Sequence, residues 1–199
     1  QATASRKLKP KVLIFSGYGL NTEDETKYAF ELAGAEAEIV HINDVIARPA
    51  ILKQAQIIVF PGGFSYGDDT GSGKAYGNRL KHHLGKELEK FLSRDTLMLG
   101  ICNGFQIITN AGILPGALIA NDSARYICRW VDLEVKGDSP WLKGIKTISV
   151  PIAHGEGKYF APKETLEKLK SENAIALQYV AGETSKHLNL PANPNGSLE

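Results

Sequence analysis

Cysteine is scarce in this sequence: Cys102 and Cys128 are the only two among 199 residues. Two thiols in a chain of this size do not make a multi-bridge scaffold, and they fit a reducing cytoplasm better than an oxidising compartment. Long apolar runs are lacking too. Stretches such as "QIIVF" and "TLMLGIC" fall far short of the roughly 20 residues that a membrane-spanning helix needs. Charge of one sign is also missing. Twenty-three basic residues face 22 acidic ones, for a net charge of +1, which excludes the basic footprint of a nucleic-acid binder. The opening "QATASRKLKPK" is basic and polar with no apolar segment of the signal-peptide kind, so residues 1–10 read as a tail or linker. No Cys/His cluster has zinc-ligand spacing, and the adjacent His82 and His83 read as part of a solvated helix face. Neither a metal nor an organic cofactor is expected in this chain.

What is present is a globular composition, 43% hydrophobic and 23% charged, long enough to bury a real core as one domain. "KVLIFSG", "AEIVHI", "QIIVFPGG" and "TLMLGIC" are apolar, β-branched runs, most of them stopped by glycine. They read as buried strands. Between the first two, Thr22 and Glu25 have capping-box spacing, Ala29, Phe30, Leu32 and Ala33 form an inner face, and Gly34 stops the helix. Residues 74–92 carry helical spacing through Leu80, Leu84, Leu88, Phe91 and Leu92. Apolar strands alternating with amphipathic helices predict a doubly wound α/β fold, a mostly parallel sheet with helices on both faces. After Gly116 the pattern changes. "RYICRWVDLEV" alternates, and "TISVPIAHGEG", a helix near "PKETLEKLKS" and "AIALQYV" follow; these predict an antiparallel extension of the same domain.

The chemistry concentrates at "LGICNGFQ". Reactive groups of α/β proteins gather at the carboxyl ends of parallel strands. G-I-C-N-G has the form of a nucleophile elbow, with Cys102 on a tight strand-to-helix turn and glycines where side chains would clash. A helix starting near Asn103 aims its free N–H groups at the sulfur, which predicts a lowered thiol pKa and a place for an oxyanion. Residues 61–69, "PGGFSYGDD", end the neighbouring strand, and Gly62 and Gly63 can turn backbone N–H groups toward a carbonyl under attack. "GSGKAYG" lacks the G-x-x-x-x-G-K-[ST] of a phosphate loop. Cys128 has no such turn and reads as structural.

"GICNGFQ" resembles the G-x-C-x-G-x-Q signature of the class I (triad) glutamine amidotransferases, which have a flavodoxin-like fold. Together with "FPGGFSYGDD", "NDSARYICRWV", "PIAHGEGKYF" and "NPNGS", it resembles the glutaminase component of phosphoribosylformylglycinamidine synthase, over residues 11–199. That resemblance implies that Cys102 attacks the side-chain amide of L-glutamine, forms a thioester and releases ammonia. A synthetase partner, subunit or domain, uses the ammonia together with ATP and Mg in cytoplasmic purine biosynthesis, and a small third subunit is a further expected partner. It implies an oxyanion hole from the Gly63 and Asn103 N–H groups, and a substrate contact from Gln106, which lies one turn beyond Cys102 on the same helical face. His154, Gly155 and Glu156 are expected to line the glutamine pocket. A plain structural loop and an H-x-E triad role for His154 and Glu156 are the alternatives.

Two departures accompany the resemblance. Family members often carry cysteine where Thr22 stands, which touches only a local contact. They also carry an H-P-E segment some tens of residues after "NPNGS", whereas no histidine follows His187 here. A fragment of a longer chain, a site completed by a partner, and a domain that binds without catalysis each account for this, and the 199-residue chain alone is expected to be inactive or very slow. A non-catalytic docking or regulatory module and a stand-alone cysteine-elbow hydrolase are the competing functions.

Overall fold

The computed structural model describes residues 9–198, so most of the expected tail lies outside the described residues. The chain divides into two compact units between Leu114 and Pro115.

In the first unit, β1 (Lys11–Ser16), β2 (Glu36–His41), β3 (Ile57–Phe60) and β4 (Leu97–Gly100) form a parallel sheet in the order β2-β1-β3-β4. The helices are α1 (Glu23–Leu32), α2 (Ile42–Ala47), α3 (Lys74–Leu92) and α4 (Asn103–Asn110). Alternation along β1 divides the core. Leu13 and Phe15 pack with Phe60, Leu80, Leu84 and Ile107 on one face. Val12 and Ile14 pack with Val59 and Phe30 on the other. A strand covered on both sides explains the unbroken apolar run, and the doubly wound α/β class is as expected. The sheet reverses direction between β1 and β3, and the loops beyond their carboxyl ends are where such folds place ligands.

Three local expectations change. Thr22 stands at the start of α1, yet its side chain makes no cap bond there; its hydroxyl donates instead to the Gly62 carbonyl at 3.2 Å. The inner face of α1 runs through Thr26 and Phe30, because Ala29, Ala33 and Leu32 are exposed, Leu32 to 76%. Gly34 does end the helix, at a φ of 95°; its N–H reaches the Glu31 carbonyl while Ala35 N–H reaches that of Phe30, the paired bonds of a Schellman stop. On α3, Leu80, Leu84, Leu88 and Phe91 are buried as expected, whereas Leu92 is exposed.

The second unit is antiparallel where its strands pair. β5 (Ala117–Ile119) pairs with β8 (Lys158–Phe160), and β6 (Ile127–Val135) lies between β7 (Thr147–His154) and β9 (Leu177–Val180). Helices α5 (Lys163–Ser171) and α6 (Glu183–Leu188) complete it. Buried Asp132 ties α6 to β6: its carboxylate accepts from the Thr184 hydroxyl at 2.5 Å, Thr184 N–H at 3.0 Å and Ser149 Oγ at 2.7 Å. Cys128 sits on β6 opposite Ala153 and is exposed. Its side chain therefore belongs to an open face of the strand and adds nothing to a core.

Among the described residues, no helix is long and apolar enough to cross a membrane.

Candidate active site

The elbow exists in backbone geometry. β4 ends at Gly100 and α4 begins at Asn103, with Cys102 between them at φ 53°, ψ −113°, a conformation that L residues avoid. The flanking glycines are required by contact. A Cβ on Gly104 would fall 1.8 Å from the Phe60 carbonyl oxygen, and one on Gly100 would fall 2.7 Å from Ile108 Cδ1. The turn can thus press α4 directly against the end of β3. The same kind of approach seats α3 on α4, where Cβ atoms on Gly73 and Gly77 would meet the Ile107 backbone at 2.7 and 2.8 Å. This close packing accounts for the second and third glycines of "GSGKAYG", Gly73 and Gly77.

Gly62 and Gly63 come to the elbow from β3. A Cβ on Gly62 would lie 3.5 Å from that of Cys102, whereas one on Gly63, at φ 146°, would strike the Gly19 carbonyl at 2.6 Å. Gly63 faces Leu20 in an antiparallel bridge whose bonds run from Asn21 N–H to the Gly62 carbonyl, 3.1 Å, and from Phe64 N–H to the Gly19 carbonyl, 2.9 Å. Leu20 and Gly63 are the non-hydrogen-bonded pair of that bridge, so the Gly63 N–H points away from Leu20. Among the described residues it has no protein acceptor.

Cys102 is exposed. Although part of the residue reaches solvent, the packing around the sulfur removes much of its water, and this pushes the thiol above its ordinary pKa. The neighbouring Asn103 backbone N–H pulls it down, and the Asp68 carboxylate pushes it up again. The net direction is upward, against the lowering expected from the helix end alone. Attack by this thiol therefore requires a proton acceptor.

Asn103 also works through its side chain, which the sequence reading missed. It is fully buried; its Oδ1 accepts from Ser65 N–H at 3.0 Å, and its Nδ2 donates to Gln106 Oε1 at 2.8 Å and to Asp68 Oδ1 at 3.3 Å. One amide thus staples loop 61–69 to the elbow helix. Gln106 is buried, and its carbonyl side engages Asn103. The Asn103 bond to Gln106 Oε1 supports the elbow.

His154, Gly155 and Glu156 belong to the second unit, where "NDSARY", "AHGEG" and "NPNGS" converge. Asn121 Nδ2 donates to the carbonyls of His154 and Arg125, both at 2.9 Å, and its Oδ1 accepts from Gly157 N–H at 3.1 Å. Asn195 Nδ2 donates to the Gly157 carbonyl at 2.9 Å and lies 3.4 Å from His154 Nε2. Both asparagines are buried. A Cβ on Gly157 would lie 2.4 Å from the His154 ring, whereas one on Gly155 meets nothing nearer than Tyr126 at 3.9 Å. The close approach therefore belongs to Gly157, and Gly155 leaves open space. Burial holds the His154 ring below its ordinary pKa.

His82 and His83 are exposed, and their rings meet edge-on at 4.8 Å. Among the described residues, no group of three or more His, Cys, Asp or Glu side chains could hold a metal ion.

An open thiol on a strained turn at a helix start, next to a glycine corner whose Gly63 N–H points away from Leu20, is an arrangement that can form and hold a tetrahedral oxyanion. The profile of the CobB/CobQ-like glutamine amidotransferase domain matches residues 9–199. The chain belongs to this family. A phosphoribosylformylglycinamidine synthase subunit PurQ from Methanococcus maripaludis is 48% identical over 201 residues, which is 94% of this amidotransferase and 74% of that protein. The PurQ subunit of Dehalococcoides mccartyi is 42% identical over 200 residues, 96% of this chain and 77% of its own. A chain of the PurLQS structure from Thermotoga maritima superposes with a TM-score of 0.74 at 31% identity, covering 96% of this amidotransferase and 78% of that chain.

Proposed function

We propose that this amidotransferase hydrolyses L-glutamine to glutamate and ammonia, as the glutaminase component of phosphoribosylformylglycinamidine synthase. The observation that carries the reading is the elbow: Cys102 at a positive φ, with α4 starting at Asn103 directly after it and the Gly63 N–H turned away from Leu20. The thiol gives its proton to a base as sulfur bonds to the side-chain amide carbon. The carbonyl oxygen takes the electron pair and rests on the Gly63 and Asn103 N–H groups. Collapse of that intermediate, with a proton delivered to nitrogen, expels ammonia and leaves a γ-glutamyl thioester. Water then adds to the thioester, glutamate leaves and the thiol is restored.

In this reading Gly62 gives the substrate room at the corner, and Gln106 holds the elbow through Asn103. The ammonia goes to an ATP- and Mg-dependent synthetase that makes the ribonucleotide amidine, in an assembly of the kind named for the Thermotoga maritima structure. The chain itself works without a metal or organic cofactor, in the cytoplasm, and residues 11–199 are its amidotransferase domain.

The test is reaction with a diazo-ketone analogue of glutamine, read by mass spectrometry. Stoichiometric labelling of Cys102, with protection by glutamine, is the expected result. Labelling of neither cysteine refutes the reading and favours a docking or regulatory module.

A further inference from the structure

The peptide joining Gly62 to Gly63 has a neighbour on each side. The sheet order β1-β3-β4 puts the segment after β1, residues 19–22, on one side of it and the elbow after β4 on the other. On the first side, the Gly62 carbonyl takes two hydrogen bonds: Asn21 N–H at 3.1 Å and the Thr22 hydroxyl at 3.2 Å. A trans peptide is planar, and its C=O and N–H point in opposite directions. Holding the oxygen toward Thr22 therefore turns the Gly63 N–H toward Cys102.

Glycines flank this peptide at both ends, so local sterics barely distinguish the observed orientation from the flipped one. The choice falls to the groups that hold the oxygen. Thr22 is itself held in place: Thr26 N–H and Thr26 Oγ1 both donate to its carbonyl, at 3.1 and 2.7 Å. Its hydroxyl is not used as a helix cap.

We infer that Thr22 is a positioning residue whose hydroxyl holds the Gly62–Gly63 peptide with its N–H facing the elbow, and so sets one half of the oxyanion site. This rests on the glutaminase reading above. Thr22 touches no reacting atom; it acts through the carbonyl of Gly62.

The experiment compares Thr22→Val, which keeps the shape and removes the donor, with Thr22→Ser, which keeps the donor, each as the full chain with its synthetase partner. Thr22→Val is expected to lower kcat for glutamine hydrolysis by about five- to tenfold with KM within about twofold, the loss of one modest hydrogen bond felt only in the transition state. Affinity for the γ-aldehyde of glutamate, whose thiol adduct places an oxygen in the same site, falls by the same factor. Alkylation of Cys102 by iodoacetamide, which uses no oxyanion site, is unchanged, and Thr22→Ser restores both losses. A Thr22→Val protein with wild-type kcat and aldehyde affinity overturns the inference. If wild-type Cys102 proves unreactive toward glutamine analogues, the glutaminase reading fails instead, and crystals of Thr22→Val decide the positioning role. A flipped or doubly oriented Gly62–Gly63 peptide supports it, and the single wild-type orientation overturns it.

Discussion

Replacing Asn103 by alanine separates what its backbone does from what its side chain does. The N–H facing Cys102 survives the change, while all three side-chain bonds disappear. Two of them are short, 3.0 Å from Ser65 N–H and 2.8 Å to Gln106 Oε1, and both partners are buried. The third, to Asp68, is longer at 3.3 Å. Stranding a buried polar group costs about 1–3 kcal/mol, so losing the two short bonds predicts a destabilisation of about 3 kcal/mol. Asn103→Asp is an informative isostere. It keeps an acceptor for Ser65 but replaces the donor aimed at two oxygens with a further oxygen, so it should be no better than alanine. Denaturant unfolding of Asn103→Ala, Gln106→Ala and the double variant measures the coupling, expected at about 1 kcal/mol. Additive single effects, or an Asn103→Ala protein within about 0.5 kcal/mol of wild type, would refute the staple.

Three further outcomes are expected. Gly104→Ala must widen a 1.8 Å approach to the Phe60 carbonyl to an ordinary contact, which moves the end of β3 and costs about 3 kcal/mol or more. Calorimetry should show a fall in Tm of about 6–12 °C, and an unchanged Tm contradicts the contact. The Asp132 carboxyl is held below its ordinary pKa, chiefly by the Thr184 hydroxyl and then by Ser149. The folded state favours its ionised form, so its stabilisation is present above about pH 4 and is lost as pH falls through the folded value. Asp132→Asn should therefore flatten the acid limb of the stability curve, and a limb of unchanged slope counts against the clamp. Because its surroundings push the Cys102 thiol upward, alkylation of this cysteine in the isolated chain should rise with a midpoint above about pH 8.5. A midpoint below that value, followed by mass spectrometry, would restore the helix end as the dominant influence.

The sequence announced whatever depends on neighbours along the chain. The apolar run of β1, the spacing of α3 from Leu80 through Phe91, the glycine stop at Gly34 and the elbow at Cys102 are all local patterns, and all four stand where they were read. The readings that changed depend on groups far away in sequence. Thr22 matches a capping rule three residues long, yet the Gly62 carbonyl, brought close by sheet order, takes its hydroxyl. The pull of a helix end on the Cys102 thiol is local too, whereas the Asp68 carboxylate that opposes it arrives on a loop joined by Asn103. Asn121 and Asn195 were legible as letters of a motif, but the turn they clasp lies more than thirty residues from either, so no spacing rule reveals their task.

The twist at Cys102, φ 53° and ψ −113°, bears on how variants of this protein would be selected. A strained non-glycine residue holds back roughly 1–3 kcal/mol of stability, and Cys102→Gly would recover part of it while discarding the sulfur. Heat-resistance screening that ignores ammonia production would thus enrich a substitution that abolishes it, a trade between robustness and output. Directed evolution of this scaffold must keep that position under a functional readout from the first round.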